Sequence, residues 1–450
     1  MPEKSANKTR TNRFTQPALV LVFCVALLKY IQNIQRQEII PYLPTLLLLA
    51  LVGGAIVSLL QPGRQPLRDL FKTPLFLALN AFGLVALLST AYSIYPSLTF
   101  SRSLQFIIVV NSLYLVLWCT KDIKRVFEAV GTLLIYFVLI AAIYGLILRY
   151  FGSVEWVYTY HPEHLIITDA IKFNYLNTLG IELTQLLYDD RISSFTGNPN
   201  TIGFLIMVSS LISIYFVVEK KKYHYLIYIA ISLYVLLLAH SRASILGLAT
   251  GLFIYSYLYF IQRHRHGRII LATFLALIAL CLGLFMLNES VYHAVLSITG
   301  RGSALSDRDI AWTALVAQIK ETPWLGIGYR ISTEALLRDN FIDISNSHNL
   351  YLSIFSEIGL VGLAIFLFIF LFPFASYFLN RNKSQLNNNL LFTCLAVLGA
   401  FLVHQGFEDM FAPLGVLFLL IVLTLFVGYR LVLGESLQSP PHDQHRPPHP

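Results

Sequence analysis

Residues 269–287 read IILATFLALIALCLGLFML, an apolar run without a single charged side chain. Similar runs recur along the whole chain, and each is closed by a short polar or basic segment. A helix needs roughly 20 apolar residues to cross a bilayer. Strands of a membrane barrel would instead show alternating patterns of roughly 10 residues. The continuous runs therefore predict transmembrane helices.

The composition excludes an ordinary soluble protein. Of the 450 residues, 56% are hydrophobic and only 12% are charged, against roughly 25% charged residues in an average soluble domain. The four cysteines all fall inside apolar runs, at Cys24, Cys119, Cys281 and Cys394. This placement is typical of packing residues, so neither disulfides nor a metal site is predicted.

The apolar runs predict an all-α membrane protein with about twelve transmembrane helices. The predicted spans lie near residues 17–34, 41–60, 74–92, 101–119, 126–148, 197–217, 224–240, 243–261, 269–287, 351–379, 390–408 and 411–433. Residues 1–16 are predicted to be a cytoplasmic N-terminal segment, 17–433 the membrane domain, and 434–450 a disordered cytoplasmic tail rich in Pro and His.

The distribution of basic residues supports this topology. With the N-terminus inside, 20 of the 32 Lys and Arg residues fall in cytoplasmic segments, which agrees with the positive-inside rule and an even number of spans. Both termini are therefore predicted to be cytoplasmic. The net charge of +8 is explained by this bias and by anionic membrane lipids, so no nucleic-acid partner is predicted.

Two predicted periplasmic segments are too long to be turns, namely residues 149–196 and 288–350. Loops of this size are often functional. They also carry eight basic residues on the face that normally has few: Arg149, Lys172, Arg191, Arg301, Arg308, Lys320, Arg330 and Arg338. Long loops are translocated regardless of charge, so this pattern alone does not require selection. The arginines nevertheless lie inside motifs, which favours a functional role.

The most informative motif is His348-Asn349, which is followed by GLVG at 359–362. In one helix beginning at His348, steps of about 100° would bring Gly359 and Gly362 to nearly the same face as the histidine. The two glycines would then let a neighbouring helix approach closely. Ser347 and Asn349 are candidate helix caps, and the helix N-terminus would present partial positive charge to an anionic ligand.

Glu357 lies within the same predicted span. An ionisable group in a membrane is costly, so its side chain should face the protein interior and pair with another group. A buried hydrogen bond that fixes helix packing explains this residue as well as a chemical role does.

Two further motifs place arginines at the predicted periplasmic face. The first is RISSFTGNPN at 191–200, whose last three residues are typical of a helix start, whereas Arg191 has the more chemical character. The second is HSRAS at 240–244, a polar break between two spans. Arg242 could simply reach the phosphates of surrounding lipids.

The fourth stretch, SDRDIAW at 306–312, opens an amphipathic segment that ends at PWLGIG, 323–328. We predict a helix lying on the membrane surface, with these apolar residues: Ile310, Leu315, Val316 and Ile319. Asp307 and Asp309 flank Arg308 like a metal-binding pair of nucleotide-sugar enzymes. Aspartate is common in a first helical turn, however, so we predict no metal site there.

Together these motifs resemble the O-antigen ligase and O-antigen polymerase superfamily of membrane glycosyltransferases, over most of the chain. The residues that carry the resemblance are Arg191 with its Gly-Asn-Pro-Asn turn, Ser241-Arg242-Ala243, the segment 323–328, His348-Asn349, Gly359 and Gly362. The histidine motif favours the ligase branch, whereas the arginine turns are shared across the superfamily.

The resemblance implies a GT-C-like helical enzyme in the plasma membrane that needs no metal or other cofactor. It would take a glycan from undecaprenyl diphosphate on the periplasmic face and transfer it to a lipid A core sugar or another glycan acceptor. Arg191, Arg242 and Arg308 would stabilise the departing diphosphate, and Asn349, Glu357, Gly359 and Gly362 would support the site. Histidine has an intrinsic pKa of about 6.5, so His348 would act as the base; a competing role is to donate a hydrogen bond to the diphosphate.

Three alternatives remain open from the sequence. An O-antigen polymerase or a ligase that glycosylates protein would show the same spans and arginines. A small-anion transporter would also place cations in a membrane protein. Transporters often have internal repeats and charged or broken helices at the bilayer midplane, whereas here the charges cluster in the predicted outer loops.

Overall fold

The computed structural model describes residues 19–27 except 21 and 25, then 43–60, 67–151, 153–160, 165–172, 184–186, 191–263, 308–338, 347–380, 388–411 and 415–434. The predicted N-terminal segment 1–16, the predicted span 269–287 and the tail beyond Gly434 lie outside these residues.

The described helices are, in chain order, α1 (Leu43–Leu60), α2 (Pro74–Leu88), α3 (Pro96–Cys119), α4 (Ile123–Phe151), α5 (Pro199–Val218), α6 (Tyr225–Leu238), α7 (Arg242–Arg263), α8 (Arg308–Glu321), α9 (Leu350–Asn380), α10 (Asn389–Gln405) and α11 (Val416–Val432). Shorter helical pieces cover Leu67–Leu70, Ser89–Ala91, Ser194–Thr196 and Thr333–Arg338.

In the described part of the chain, six helices are long and apolar enough to cross a membrane: Pro74–Ala91, Pro96–Cys119, Ile123–Phe151, Pro199–Val218, Arg242–Phe260 and Leu350–Asn380. Four shorter apolar helices accompany them, at Leu47–Leu60, Tyr225–Leu238, Asn389–Gln405 and Val416–Val432. These helices confirm the predicted all-α membrane class. The count of about twelve spans stays a prediction.

A small sheet lies within the first predicted periplasmic loop. Its strands are β1 (Ser153–Tyr160), β2 (Leu165–Lys172) and β3 (Thr184–Leu186), in the order β1-β2-β3 and antiparallel throughout. The hairpin pairs Ser153 with Lys172 and Tyr160 with Leu165. These strands were not predicted from the sequence, and they add a β element outside the helices.

Helix α10 lies in the centre of the bundle because it is apolar on all sides, and almost every residue from Asn389 to Phe401 is buried. Helix α7 approaches it through two small residues one turn apart. A Cβ atom on Gly247 would lie 2.9 Å from the carbonyl oxygen of Ala400, and one on Gly251 would lie 3.1 Å from that of Ala396. This spacing of small residues allows close helix packing in membranes. It brings the beginning of α7 to the end of α10.

Helix α9 is not continuous. Its backbone leaves the helical region at Ile358 (φ −129°, ψ 17°) and Gly359 (φ 66°, ψ −169°). The prediction of one helical face joining His348 to both glycines is therefore wrong. Close approach does occur at Gly359, but the neighbour is a loop, since a Cβ there would lie 2.0 Å from the carbonyl oxygen of Trp324.

The segment 323–328 satisfies the backbone groups that this break releases. The amides of Ile327 and Gly328 donate to the carbonyl oxygens of Ser356 and Glu357, at 3.0 and 2.8 Å. In return, the amide of Leu360 donates to the carbonyl oxygen of Pro323 at 2.9 Å. Unpaired backbone groups are costly in an apolar environment. These bonds therefore stabilise the break and attach the loop that follows α8 to α9.

Candidate functional site

The described polar side chains at one end of the bundle converge on a single acid, Glu408, three residues beyond the end of α10. Only 2% of its surface is exposed. Its Oε1 accepts hydrogen bonds from Nη2 of Arg308 at 2.7 Å and from Nδ2 of Asn200 at 2.6 Å, while Oε2 lies 3.0 Å from Nδ1 of His348. We call Glu408, Arg308, His348, Asn200 and Arg191 the Glu408 cluster.

Arg191 joins this cluster through Asn200. Its Nη2 donates to Oδ1 of Asn200 at 3.2 Å, and its Nε donates to the carbonyl oxygen of Ala239 at 3.1 Å. The neighbouring amide of Ile192 donates to the carbonyl oxygen of Leu238. The arginine, only 7% exposed, is thus held between the end of α6 and the beginning of α5.

The helix start predicted for the end of the 191–200 motif is present. Asn198 caps α5, since its Oδ1 accepts from the amide of Asn200 at 2.8 Å, and Pro199 is the first helical residue. The predicted structural role therefore belongs to Asn198 and Pro199. The side chain of Asn200 instead bonds Arg191 and Glu408.

His348 stands two residues before α9, in the left-handed region at φ 51°. This conformation is unfavourable for a residue with a side chain, and neighbouring bonds hold it. As predicted, Asn349 caps the helix: its Oδ1 accepts from the amide of Leu352 at 3.1 Å. The hydroxyl of Ser347 accepts from the amide of Asn349, and Trp312 of α8 donates to the Ser347 carbonyl oxygen.

Among the residues that the structure describes, Arg308 is the first of α8. Besides Glu408, it binds the carbonyl oxygen of Phe407, at 2.7 Å from Nη1. A helix is present where the amphipathic helix was predicted, but its apolar residues do not share one face, and its place on the membrane surface stays a prediction. Leu315 is buried against Ile327 and Ile331, whereas Ile310 and Val316 are exposed.

Arg242 is the first residue of α7, and it is not among the side chains bonded to Glu408 in the described part of the chain. Its neighbours Ser241 and Ser244 bond each other at 2.8 Å, and both pack against Gly203 of α5. The 240–244 motif thus lies against the first turns of α5, beside the carbonyl that accepts from Arg191.

Two opposing effects act on the ionisation of Glu408. Burial raises its pKa, but the hydrogen bond from His348, the charge of Arg308 and the charge of His348 when it is protonated outweigh burial. The pKa of Glu408 is therefore held below its ordinary value, and the carboxyl group is ionised at neutral pH. On the other side of the cluster, burial and the charge of Arg191 lower the pKa of His240.

Glu357 belongs to a different group of residues, which we call the Glu357 cluster: Glu357, Ser332, Arg330, Glu334 and Arg102. As predicted, Glu357 is buried and bonded, since its Oε1 accepts from the hydroxyl of Ser332 at 2.7 Å and from the Ser332 amide at 3.3 Å. Arg102 forms a two-bond ion pair with Glu334, at 2.6 and 3.0 Å. These bonds fasten the segment after 328 to α9 and α3.

Burial tends to lower the pKa of Arg330, but the nearby charges of Asp409, Glu357 and Glu334 outweigh it and raise the pKa. The Arg330 side chain also donates to the carbonyl oxygen of Phe411 at 2.8 Å. The segment after Glu408 is therefore bonded into the Glu357 cluster, so the two clusters adjoin.

Glu408 and the role of Asn200 were not predicted from the sequence. A signal for Glu408 was present, because it is an acid at the end of a predicted span, as costly there as Glu357. The structure brings together three predicted residues, Arg191, Arg308 and His348. Of the other predicted residues, Asn349 caps the helix beside them, and Glu357 and Gly359 build the junction of α9 with the 323–328 segment.

Two comparisons bear on identity. Residues 227–367 match the family model for O-antigen ligase. The matched region includes Arg242, Arg308 and His348 but neither Arg191 nor Glu408. A protein named O-antigen ligase from Pseudomonas aeruginosa is 33% identical over 110 residues, which is 24% of this chain and 26% of the relative.

The matched segment thus spans about a quarter of the relative's length. The family-model match covers every predicted site residue except Arg191, and it includes the segment 323–328 that packs on the broken helix. Together the two matches confirm the resemblance to the O-antigen ligase superfamily predicted from the sequence, over the segments that they cover.

Proposed function

We propose that this protein is an inverting, metal-independent glycosyltransferase of the O-antigen ligase type. It moves a glycan from undecaprenyl diphosphate to a lipid A core sugar, or a similar hydroxyl acceptor, on the periplasmic face of the inner membrane. The observation that carries the proposal is that Arg308 and His348 bond one buried carboxylate, Glu408, to which Asn200 links Arg191.

The cluster contains the groups that this reaction needs. The acceptor hydroxyl loses its proton to His348 as its oxygen forms a bond to the anomeric carbon. The bond from that carbon to the diphosphate oxygen breaks on the opposite face, and its electron pair leaves with the diphosphate. Attack opposite to the leaving group inverts the anomeric configuration.

Charge on the leaving diphosphate is stabilised by guanidinium groups. Arginine is always protonated and offers five N–H donors in a planar arrangement that suits phosphate. Arg308 and Arg191 are held in place by protein bonds before the donor arrives, and such preorganised donors contribute roughly 10²–10³ in rate each. A chelator should therefore leave transfer intact.

Within the superfamily, the matches to O-antigen ligase favour transfer to a lipid A core sugar over polymerisation or protein glycosylation. Deletion of the gene separates these reactions. Loss of a ligase lets the lipid-linked polymer accumulate and removes the surface glycan, whereas loss of a polymerase changes only the length of the glycan chains. For a small-anion transporter, flux into proteoliposomes would be expected without any transfer of sugar.

The decisive experiment replaces His348. The purified full-length protein is reconstituted with an undecaprenyl diphosphate-linked glycan and a lipid A core acceptor, and the glycosylated product is measured. We expect His348→Ala to lower the transfer rate by roughly 10²–10⁴-fold. The control is His224→Ala, at the beginning of α6 at the opposite end of the bundle. Near-normal transfer by a folded His348→Ala protein would refute the proposed chemistry.

A further inference from the structure

The carboxylate of Glu408 contacts each part of the proposed machinery, directly or through one amide. We propose that Glu408 and Asn200 are positioning residues of the transfer reaction. Glu408 keeps the proton of His348 on Nδ1 and orients Arg308, while Asn200 fixes Arg191 to the same carboxylate. This inference rests on the proposed function and assigns two residues that the sequence motifs do not.

The bond to Glu408 determines the tautomer of His348. An ionised carboxylate can only accept hydrogen bonds, so at 3.0 Å from Oε2 of Glu408 the Nδ1 atom must be the donor. A neutral imidazole carries one proton, and its lone pair then lies on Nε2. The bond to Glu408 thus selects Nε2 as the atom that receives the acceptor's proton.

The side-chain amide of Asn200 both donates and accepts a hydrogen bond within the Glu408 cluster. Its Nδ2 donates to Oε1 of Glu408 at 2.6 Å, and its Oδ1 accepts from Nη2 of Arg191 at 3.2 Å. A carboxylate at this position would accept from the arginine but would repel Glu408. Helix capping does not explain this side chain, because Asn198 caps α5.

The charge of Glu408 also acts on the proton transfer to His348. The charged and titratable groups that face Glu408 are Arg308 from α8, His348 before α9 and His404 from the last turn of α10. Proton transfer to His348 creates a second cation beside Arg308. The Glu408 carboxylate, bonded to both, offsets this charge and stabilises the imidazolium as it forms, as an orienting carboxylate does in other enzymes.

Loss of a buried acid can also unfold a protein, so the experiment compares variants that differ in charge and in position. The full-length protein is reconstituted in phosphatidylethanolamine and phosphatidylglycerol vesicles with the donor and acceptor named above. The variants are Glu408→Gln, Glu408→Asp, Asn200→Ala and Asn198→Ala, and kcat, KM for the donor and the dependence of kcat on pH are measured for each.

We expect Glu408→Gln to lower kcat by roughly 10²-fold, since a misplaced catalytic group costs about that much. It should also change the dependence of kcat on pH, because the negative charge bonded to the reacting imidazole is gone. Glu408→Asp keeps this charge and should recover part of kcat and of the wild-type pH dependence. Asn200→Ala should raise KM for the donor through Arg191.

Asn198→Ala is the matched control. It removes an asparagine two residues away that caps α5 but bonds neither Arg191 nor Glu408, so it should lower thermal stability and leave KM and the pH profile unchanged. A folded Glu408→Gln protein with the wild-type kcat and pH profile would overturn the proposal. Equal effects of Asn198→Ala and Asn200→Ala on KM would overturn the assignment of Asn200.

A readout without turnover separates this inference from the proposed function. Nitrogen-15 spectra of histidine-labelled protein, with His348 assigned by its loss in His348→Ala, report which ring nitrogen carries the proton. We expect protonated Nδ1 in the wild type and its loss in Glu408→Leu, whose side chain cannot accept a hydrogen bond. If the wild type shows this tautomer but transfers no glycan, the proposed function fails while Glu408 still positions His348. An unchanged tautomer in folded Glu408→Leu would refute the positioning role of Glu408.

Discussion

Glu357 and Glu408 are both almost completely buried, with 4% and 2% of their surfaces exposed, yet their surroundings differ. Glu357 accepts from the hydroxyl and the amide of Ser332, in a segment that packs on α9. Glu408 accepts from Arg308 and Asn200 and bonds His348. One acid is bonded to neutral groups of a loop, and the other joins a titratable group to a cation.

When two acids are both buried, their bonding partners distinguish a structural acid from a chemical one. Hydrogen bonds to a hydroxyl and an amide satisfy a carboxyl group and fix a packing arrangement. Bonds to an imidazole and a guanidinium also couple the carboxylate to groups that can move protons and bind anions. The Glu357 cluster should therefore control folding, and the Glu408 cluster should control the pH dependence of activity.

The largest loss of stability is expected from a substitution at the break in α9, which directly follows Glu357. Gly359 has φ 66° and ψ −169°, a conformation that is essentially restricted to glycine. In Gly359→Ala the new Cβ would also lie 2.0 Å from the carbonyl oxygen of Trp324. We expect a loss of roughly 3 kcal/mol in the free energy of unfolding, measured as thermal unfolding in detergent by near-ultraviolet circular dichroism.

Gly362→Ala is the control for this change. The three atoms nearest to a Cβ at Gly362 would all belong to the side chain of Ile358, the nearest at 2.2 Å. A side chain can shift where a backbone cannot, so the loss should be clearly smaller. If both alanines destabilised the protein equally, the special role of the break at Gly359 would be contradicted.

A smaller effect is expected for Glu357→Gln. The amide oxygen of glutamine can still accept from Ser332, so we expect a loss of about 1 kcal/mol or less in the free energy of unfolding. Transfer activity should keep the pH profile of the wild type, in contrast to Glu408→Gln. The two pH profiles are measured in the same reconstituted assay. A changed pH profile in Glu357→Gln would erase the distinction between the two acids.

Much of the helical architecture could be predicted from the sequence because lipid leaves few options for the backbone. The apolar runs near 74–92, 197–217 and 351–379 correspond within a few residues to α2 with its last turn, α5 and α9. The β1–β2 hairpin was not predicted, because no rule of membrane burial acts on a segment outside the apolar runs.

The site could be predicted only in part. Arg191, Arg308 and His348 were found because each lies in a recognisable motif. Asn200 and Glu408 were not, because their roles depend on partners far away in sequence: the bond between them joins residues 208 positions apart. The break in α9 was missed for a similar reason, since Gly359 adopts its conformation against the 323–328 segment.

The smallest effect is expected on the thermal stability of Glu408→Gln, measured without substrates. The pKa of Glu408 is held below the ordinary value of about 4.3, because the interactions with His348 and Arg308 outweigh burial. A group whose pKa is lowered on folding contributes stability above its unfolded pKa and loses it as the pH falls through the folded value. The difference in melting temperature between wild type and Glu408→Gln should therefore be largest near neutral pH and should shrink below about pH 4. A difference that stays constant or grows on acidification would mean that the Glu408 charge does not stabilise the cluster, and the contrast with Glu357 would lose its electrostatic basis.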